Sequence, residues 1–211
     1  LISTAQNGLP VMRYNGTNGQ YHSFNRINDI RTAFWVTKKT SGDWFLLGDT
    51  AAYDFHANGT GGMFISYAHN NILTGDIFSL NGSAYGKTSA WPTSLSIISL
   101  TTAGNVQANS FSNDRNRDNF YPNGDLAELL VFNKVLSASE VHMVEGYLAH
   151  KWGLTAALPS SHPYKNSLLT PVTKVITSAA TASATVGQAF TYTIATNAVS
   201  YTHLRAHETL P

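Results

Sequence analysis

The sequence predicts an all-β protein, a two-sheet sandwich or jelly roll with one packed helix. Three observations carry this expectation. Charged residues are only 12% of the chain, against 43% hydrophobic, so the polarity rests on Asn, Ser, Thr and Gly, which suit turns and exposed strand faces and form helices poorly. Short β-like runs recur between Gly and Asn turn signals. One segment alone carries a full set of helix boundary signals.

The strands are read in order. Pro10–Tyr14 (PVMRY) precedes the turn cluster NGTNG, and Gln20–Phe24 (QYHSF) follows. Arg31–Lys39 (RTAFWVTKK) is rich in β-branched and aromatic residues, which favour strands. WFLLGD, ending at Asp49, is the next run, and GGMFISYAH leads through NNILTG to DIFSLNG. In Ser94–Thr102 (SLSIISLTT), Leu95 and Ile97 fall on one face and Ile98 and Leu100 on the other. A strand apolar on both faces is covered on both sides or sits deep in a sheet. Gly124–Asn133 (GDLAELLVFN) reads the same way.

The helix is read over residues 138–152. Ser137 is its N-cap and Glu140, three residues on, completes a capping box. Leu136 and Val141 sit at the positions of a hydrophobic staple. Val141, Val144, Leu148 and Trp152 follow helical spacing and mark the buried stripe. Gly153 is the expected C-terminal stop, with Pro159 beyond it.

Net charge is +1, with Lys and Arg scattered, so no footprint for nucleic acid is visible. The absence of cysteine excludes disulfides and thiolate chemistry. No apolar run approaches the roughly 20 residues of a membrane-spanning helix. Leu1 stands where a start Met would, with no signal-like segment after it. The sequence therefore reads as a monomeric module cut from a longer chain.

The run GDLAELLVFNKVLSASEVHMVEGYLAHKWGL, followed by LPSSHPY, resembles the end of concanavalin A-like, laminin-G-like jelly-roll modules of bacterial secreted proteins. NGLPVMRYNGTNGQY resembles the early strand and turn of the same modules. The resemblance spans residues 1–165 and implies that the first strand of such a module is missing. After a linker at 166–171, residues 172–199 resemble the start of a bacterial immunoglobulin-like repeat, cut short of the roughly 100 residues such a domain needs. Residues 200–211 (SYTHLRAHETLP) resemble sequencing-adapter read-through at the end of a metagenomic reading frame. His203, His207 and Glu208 in that tail have helical metal-ligand spacing, yet are expected to carry no function.

The jelly-roll modules include glucanases, so catalysis must be weighed. Retaining glycosidases need two carboxylates about 5 Å apart. The acidic pattern Glu-x-Asp-x-Glu that the resemblance would imply on a catalytic strand does not occur. Asp125 and Glu128, three apart, are expected on opposite strand faces. No nucleophile elbow, phosphate loop or cofactor fingerprint is present, and no catalytic residue or cofactor is expected. Asp114–Asp118 (DRNRD) alternates oxygen-bearing side chains as calcium loops do, making Asp114 and Asp118 weak calcium candidates. An Arg–Asp network that pins the loop explains the same residues. Tyr53–Gly62 (YDFHANGTGG) has the residue types of sugar recognition, and equally those of a surface turn. Asn15, Asn58 and Asn81 head Asn-x-Ser/Thr triplets, expected to be coincidental in a bacterial protein.

The expected function is a non-catalytic binding or adhesion module of a large extracellular or cell-surface protein, with a glycan or a surface protein as partner. An accessory module of a polysaccharide-degrading enzyme and a pure spacer are the alternatives. The expected ligand surface joins two loops: Tyr53, Asp54 and His56 from one, and Asp114, Arg117 and Tyr121 from the other.

Overall fold

A computed structural model describes residues 1–167, apart from 18, 43, 58–61, 65–66 and 114–120. The chain divides into two compact units, Leu1–Leu169 and Thr170–Pro211. The immunoglobulin-like segment 172–199 and the tail 200–211, with His203, His207 and Glu208, lie outside the described residues.

The first unit is mostly β. Its strands are β1 (Ile2–Gln6), β2 (Leu9–Asn15), β3 (His22–Ser41), β4 (Phe78–Leu80), β5 (Ser83–Ala84), β6 (Ser96–Phe111) and β7 (Asn123–Phe132). They form one seven-stranded sheet in the order β1-β2-β7-β3-β6-β4-β5, with every pairing antiparallel. Among the described residues helices are few: α1 (Asn70–Leu73), α2 (Ala138–Trp152) and one 3-10 turn at Thr155–Ala157.

The runs read as separate strands at 20–24 and 31–39 belong to a single strand, β3. Its pairing with β6 shifts register three times between Ser23 and Thr32. Such bulges bend a strand and raise its twist. The bend is large. Tyr14 of β2 lies opposite Gly124, which lies opposite Lys39. Yet the Tyr14 ring also meets His22 and Phe111, at 5.8 and 5.7 Å. On a straight strand, His22 and Lys39 would stand about 56 Å apart at roughly 3.3 Å per residue. The β3–β6 ribbon therefore curls back over the sheet, and the architecture is sandwich-like.

Two clusters fill the space on either side of the sheet. Trp35, Ile98, Leu100, Leu126 and Val106 face one cluster, which also takes Trp44–Leu47, Phe55, Phe64 and Ile72. Phe34, Val36, Ile97 and Val11 face the other, against Val141, Leu148, Ala149 and Trp152 of α2. Leu95 and Ile97 indeed part from Ile98 and Leu100. The run WFLLGD is not a strand. Trp44, Phe45, Leu46 and Leu47 are all buried, whereas a strand packed on one side would alternate. Its backbone contributes one isolated bridge, Gly48 with Ser110. GGMFISYAH likewise contributes one bridge, Gly62 with Ala90, among the described residues.

Helix α2 forms as its boundary signals dictate. Ser137 Oγ accepts from Glu140 N, the Glu140 carboxylate accepts from Ser137 N, and Gly153 closes the helix at φ 67°. Leu136 and Val141 are both buried in the cluster beneath the helix.

Candidate functional site

Of the expected loop surface, Tyr53, Asp54, His56 and Tyr121 are among the described residues. Tyr53 is half exposed, and its ring stands edge-on to His56 at 5.8 Å. Asp54 between them is buried. Its carboxylate accepts from Gln107 N at 2.7 Å and its carbonyl accepts from His69 N at 3.0 Å. A buried carboxylate needs donors, and Gln107 supplies one by tying this loop to β6. Asp54 thus holds the loop from beneath, whereas a ligand surface would need its carboxylate at the surface. Tyr121 is half exposed too, and its backbone carbonyl lies so close to Gly42 that a Cβ there would come within 1.9 Å of it. Asp114, Arg117 and Asp118 lie outside the described residues. Among the described residues, no group of three or more His, Cys, Asp or Glu could hold a metal ion.

The roots of the two loops do meet. Thr50, just before the first loop, and Asn113, at the start of the second, border one cleft of about 220 Å³ with Tyr21, Ser23, Phe24, Asn109 and Ser110. None of these side chains is charged. Asn109 clamps Thr50 twice, with Nδ2 donating to Oγ1 at 2.8 Å and Oδ1 accepting from Thr50 N at 3.1 Å. Gly48 pairs with Ser110 through both backbone groups, at 2.9 and 3.0 Å. Only glycine fits there, since a Cβ would stand 1.5 Å from Asn113 O. Asp49 secures the corner from below. It is 1% exposed, and its Oδ1 accepts from Arg26 Nη2 and from the N–H groups of Ala51 and Ala52. Ser112, immediately before the cleft residue Asn113, holds a left-handed φ of 59°. Non-glycine residues there cost about 1–3 kcal/mol and collect at functional sites. Tyr21, Thr50 and Asn109 come from three segments, so no local motif announced this cleft.

The strand acids are engaged elsewhere. Register slips at Ala127, where Val36 opposes Glu128 but Thr37 opposes Leu126. The slip overturns the expectation that Asp125 and Glu128 point to opposite faces. Glu128 accepts from Lys151 Nζ at 2.9 Å and from Trp152 Nε1 at 2.5 Å, both on α2. Asp125 binds Arg13 bidentately and meets Lys38 at 3.2 Å. Arg13 and Lys38 stand two residues beyond Val11 and Val36, which face α2, so Asp125 shares that face. Burial alone would raise the Asp125 carboxyl, but the hydrogen bonds and charges of Arg13 and Lys38 outweigh it and hold its pKa below the usual value.

Glu145 of α2 is the acid whose role sequence reasoning missed. It is 1% exposed. Its Oε1 accepts from Ser79 Oγ at 2.5 Å and Ser99 Oγ at 2.6 Å, and its Oε2 meets His162 Nε2 at 3.3 Å. Tyr164 N donates to His162 Nδ1 at 3.3 Å, so Nε2 carries the ring proton and donates to Glu145. The carboxylate joins helix, sheet and the segment after the helix. Its partners lie 17 to 66 residues away, beyond any local pattern.

No protein-family model, curated protein sequence or solved structure matches the chain.

Proposed function

We propose that the first unit is a non-catalytic binding module that recognises uncharged carbohydrate, within a larger extracellular or cell-surface protein. The observation that carries this reading is the cleft at Thr50 and Asn113. Its lining among the described residues combines two aromatic rings with hydroxyl and amide groups and no charged side chain, the residue types that stack on and hydrogen-bond a sugar. Loops fixed by rigid strands are where binding residues gather. The glutamates among the described residues support a non-catalytic role. Glu128 binds Lys151 and Trp152, Glu140 caps α2 and Glu145 is enclosed by two serines and a histidine. The curled seven-stranded sheet with one helix on its outer face is compatible with a concanavalin A-like jelly roll, and the secreted location follows from that resemblance.

A glycan array probed with the intact chain tests this reading. Binding of neutral glycans is expected, and it should be lost in Tyr21→Ala while the thermal melt is unchanged. Failure of the intact chain to bind any glycan would refute the reading.

A further inference from the structure

Tyr21 also lines a second cavity, of about 380 Å³. We infer that the ligand is an oligosaccharide that spans both cavities, with Tyr21 as the shared wall between two sugar-binding positions. This deepens the carbohydrate reading and rests on it.

Size is the first argument. Ligand pockets run from about 300 to 1,000 Å³. The cleft at Thr50 and Asn113, about 220 Å³, falls short of that range alone and enters it only together with its neighbour. Placement is the second. Tyr21 is 46% exposed, immediately before β3, and it lines both cavities. A half-exposed ring between two hollows can stack on a sugar in one while the linkage to the next passes its edge. Chemistry is the third. Leu1, Met12, Tyr14, Gln20 and His22 are among the residues that line the larger cavity, which mixes apolar surface with polar groups. Gln20 Oε1 is taken by Asn15 N at 2.9 Å, which leaves the amide as donor. Arg13 also borders this cavity, but its guanidinium is bidentate to Asp125. Its Nε and Nη2 donors are taken by that carboxylate, so Arg13 has no free bidentate fork to offer an anion, and the cavity suits a neutral ligand.

Titration calorimetry with neutral gluco-, manno-, galacto- and xylo-oligosaccharides of one to six units tests the inference. For a bound series, affinity should rise about tenfold or more between one unit and three. Tyr21→Ala should remove that rise, and Tyr21→Phe, which keeps the ring, should retain it. Gln20→Ala should weaken the trisaccharide and leave the single sugar unchanged. A single sugar that binds as tightly as the longer chains would overturn the two-position site and leave the carbohydrate reading standing. Retention of the length dependence in Tyr21→Ala would overturn it as well. No binding at any length would defeat both readings together.

Discussion

Replacing Glu145 by alanine is expected to destabilise the first unit by about 3–5 kcal/mol, the cost of leaving three buried donors without their acceptor. The estimate can be built from the contacts. Ser79 and Ser99 are buried, and both donate to Glu145 Oε1, at 2.5 and 2.6 Å. Each hydroxyl left without its acceptor costs about 1–3 kcal/mol, and His162 Nε2 loses its acceptor as well. Release of a desolvated carboxylate offsets part of the sum. For a unit of this size, 1 kcal/mol moves Tm by about 2–4 °C, so the melt should fall by roughly 6–20 °C. Glu145→Gln separates charge from geometry. Its amide oxygen can still accept from both serines, but its NH₂ then faces His162 Nε2. That nitrogen would have to become an acceptor, moving the ring proton to Nδ1, where Tyr164 N already donates. The glutamine variant should therefore lose about 1–2 kcal/mol, one mismatched pair. Urea unfolding followed by tryptophan fluorescence reads both, since Trp152 lies on the same helix. An alanine variant within 1 kcal/mol of the parent would refute the reasoning, as would a glutamine variant equal to alanine.

Three further outcomes are expected. Glu140 is held near pKa 2, well below its usual 4.5, by hydrogen bonds from Lys134 and from the backbone and hydroxyl of Ser137. Its contribution to helix stability is therefore complete above about pH 4.5 and fades as pH falls toward 2; circular dichroism should show this in the parent and a flattened profile in Glu140→Gln. Gly42→Ala should cost more than the about 1–2 kcal/mol of left-handed backbone alone, because the new Cβ meets Tyr121 O at 1.9 Å and φ is 67°; a melt unchanged from the parent would mean that the Tyr121 backbone yields freely. Deleting 200–211 should leave Tm and ligand binding unchanged, and a zinc-dependent rise in Tm that vanishes in His203→Ala would contradict it.

How much of this was legible depended on how local each signal was. Helix α2 was readable because its cap, staple and stop lie within a turn of its ends. Strands β6 and β7 were readable because both of their faces are apolar and covered. Strand β3 was not readable as one element, since bulges break its alternation where it bends. WFLLGD misled because a run that is buried on every side shows the composition of a strand without its pairing. The bulge at Ala127 placed two acids on one face although their spacing implied two. Residue types alone marked the Tyr53–His56 loop for recognition, but could not show that Asp54 would turn inward to meet Gln107.

The long ribbon of β3 and β6 also sets the order in which the unit can assemble. His22 pairs with Phe111, and Thr37 with Ser96, so even the innermost pair of the central ladder closes only after about a third of the unit has been gathered into a loop, and the outermost only after more than half. Such distant pairings slow folding into the range of roughly milliseconds to seconds. Helix α2 can flicker into shape in about a microsecond from its own caps, but the surface that receives Leu148 and Trp152 is made by β2, β3, β6 and β7 together. The helix therefore forms early and docks late. A variant that weakens only its docking should speed unfolding and leave the folding rate nearly untouched.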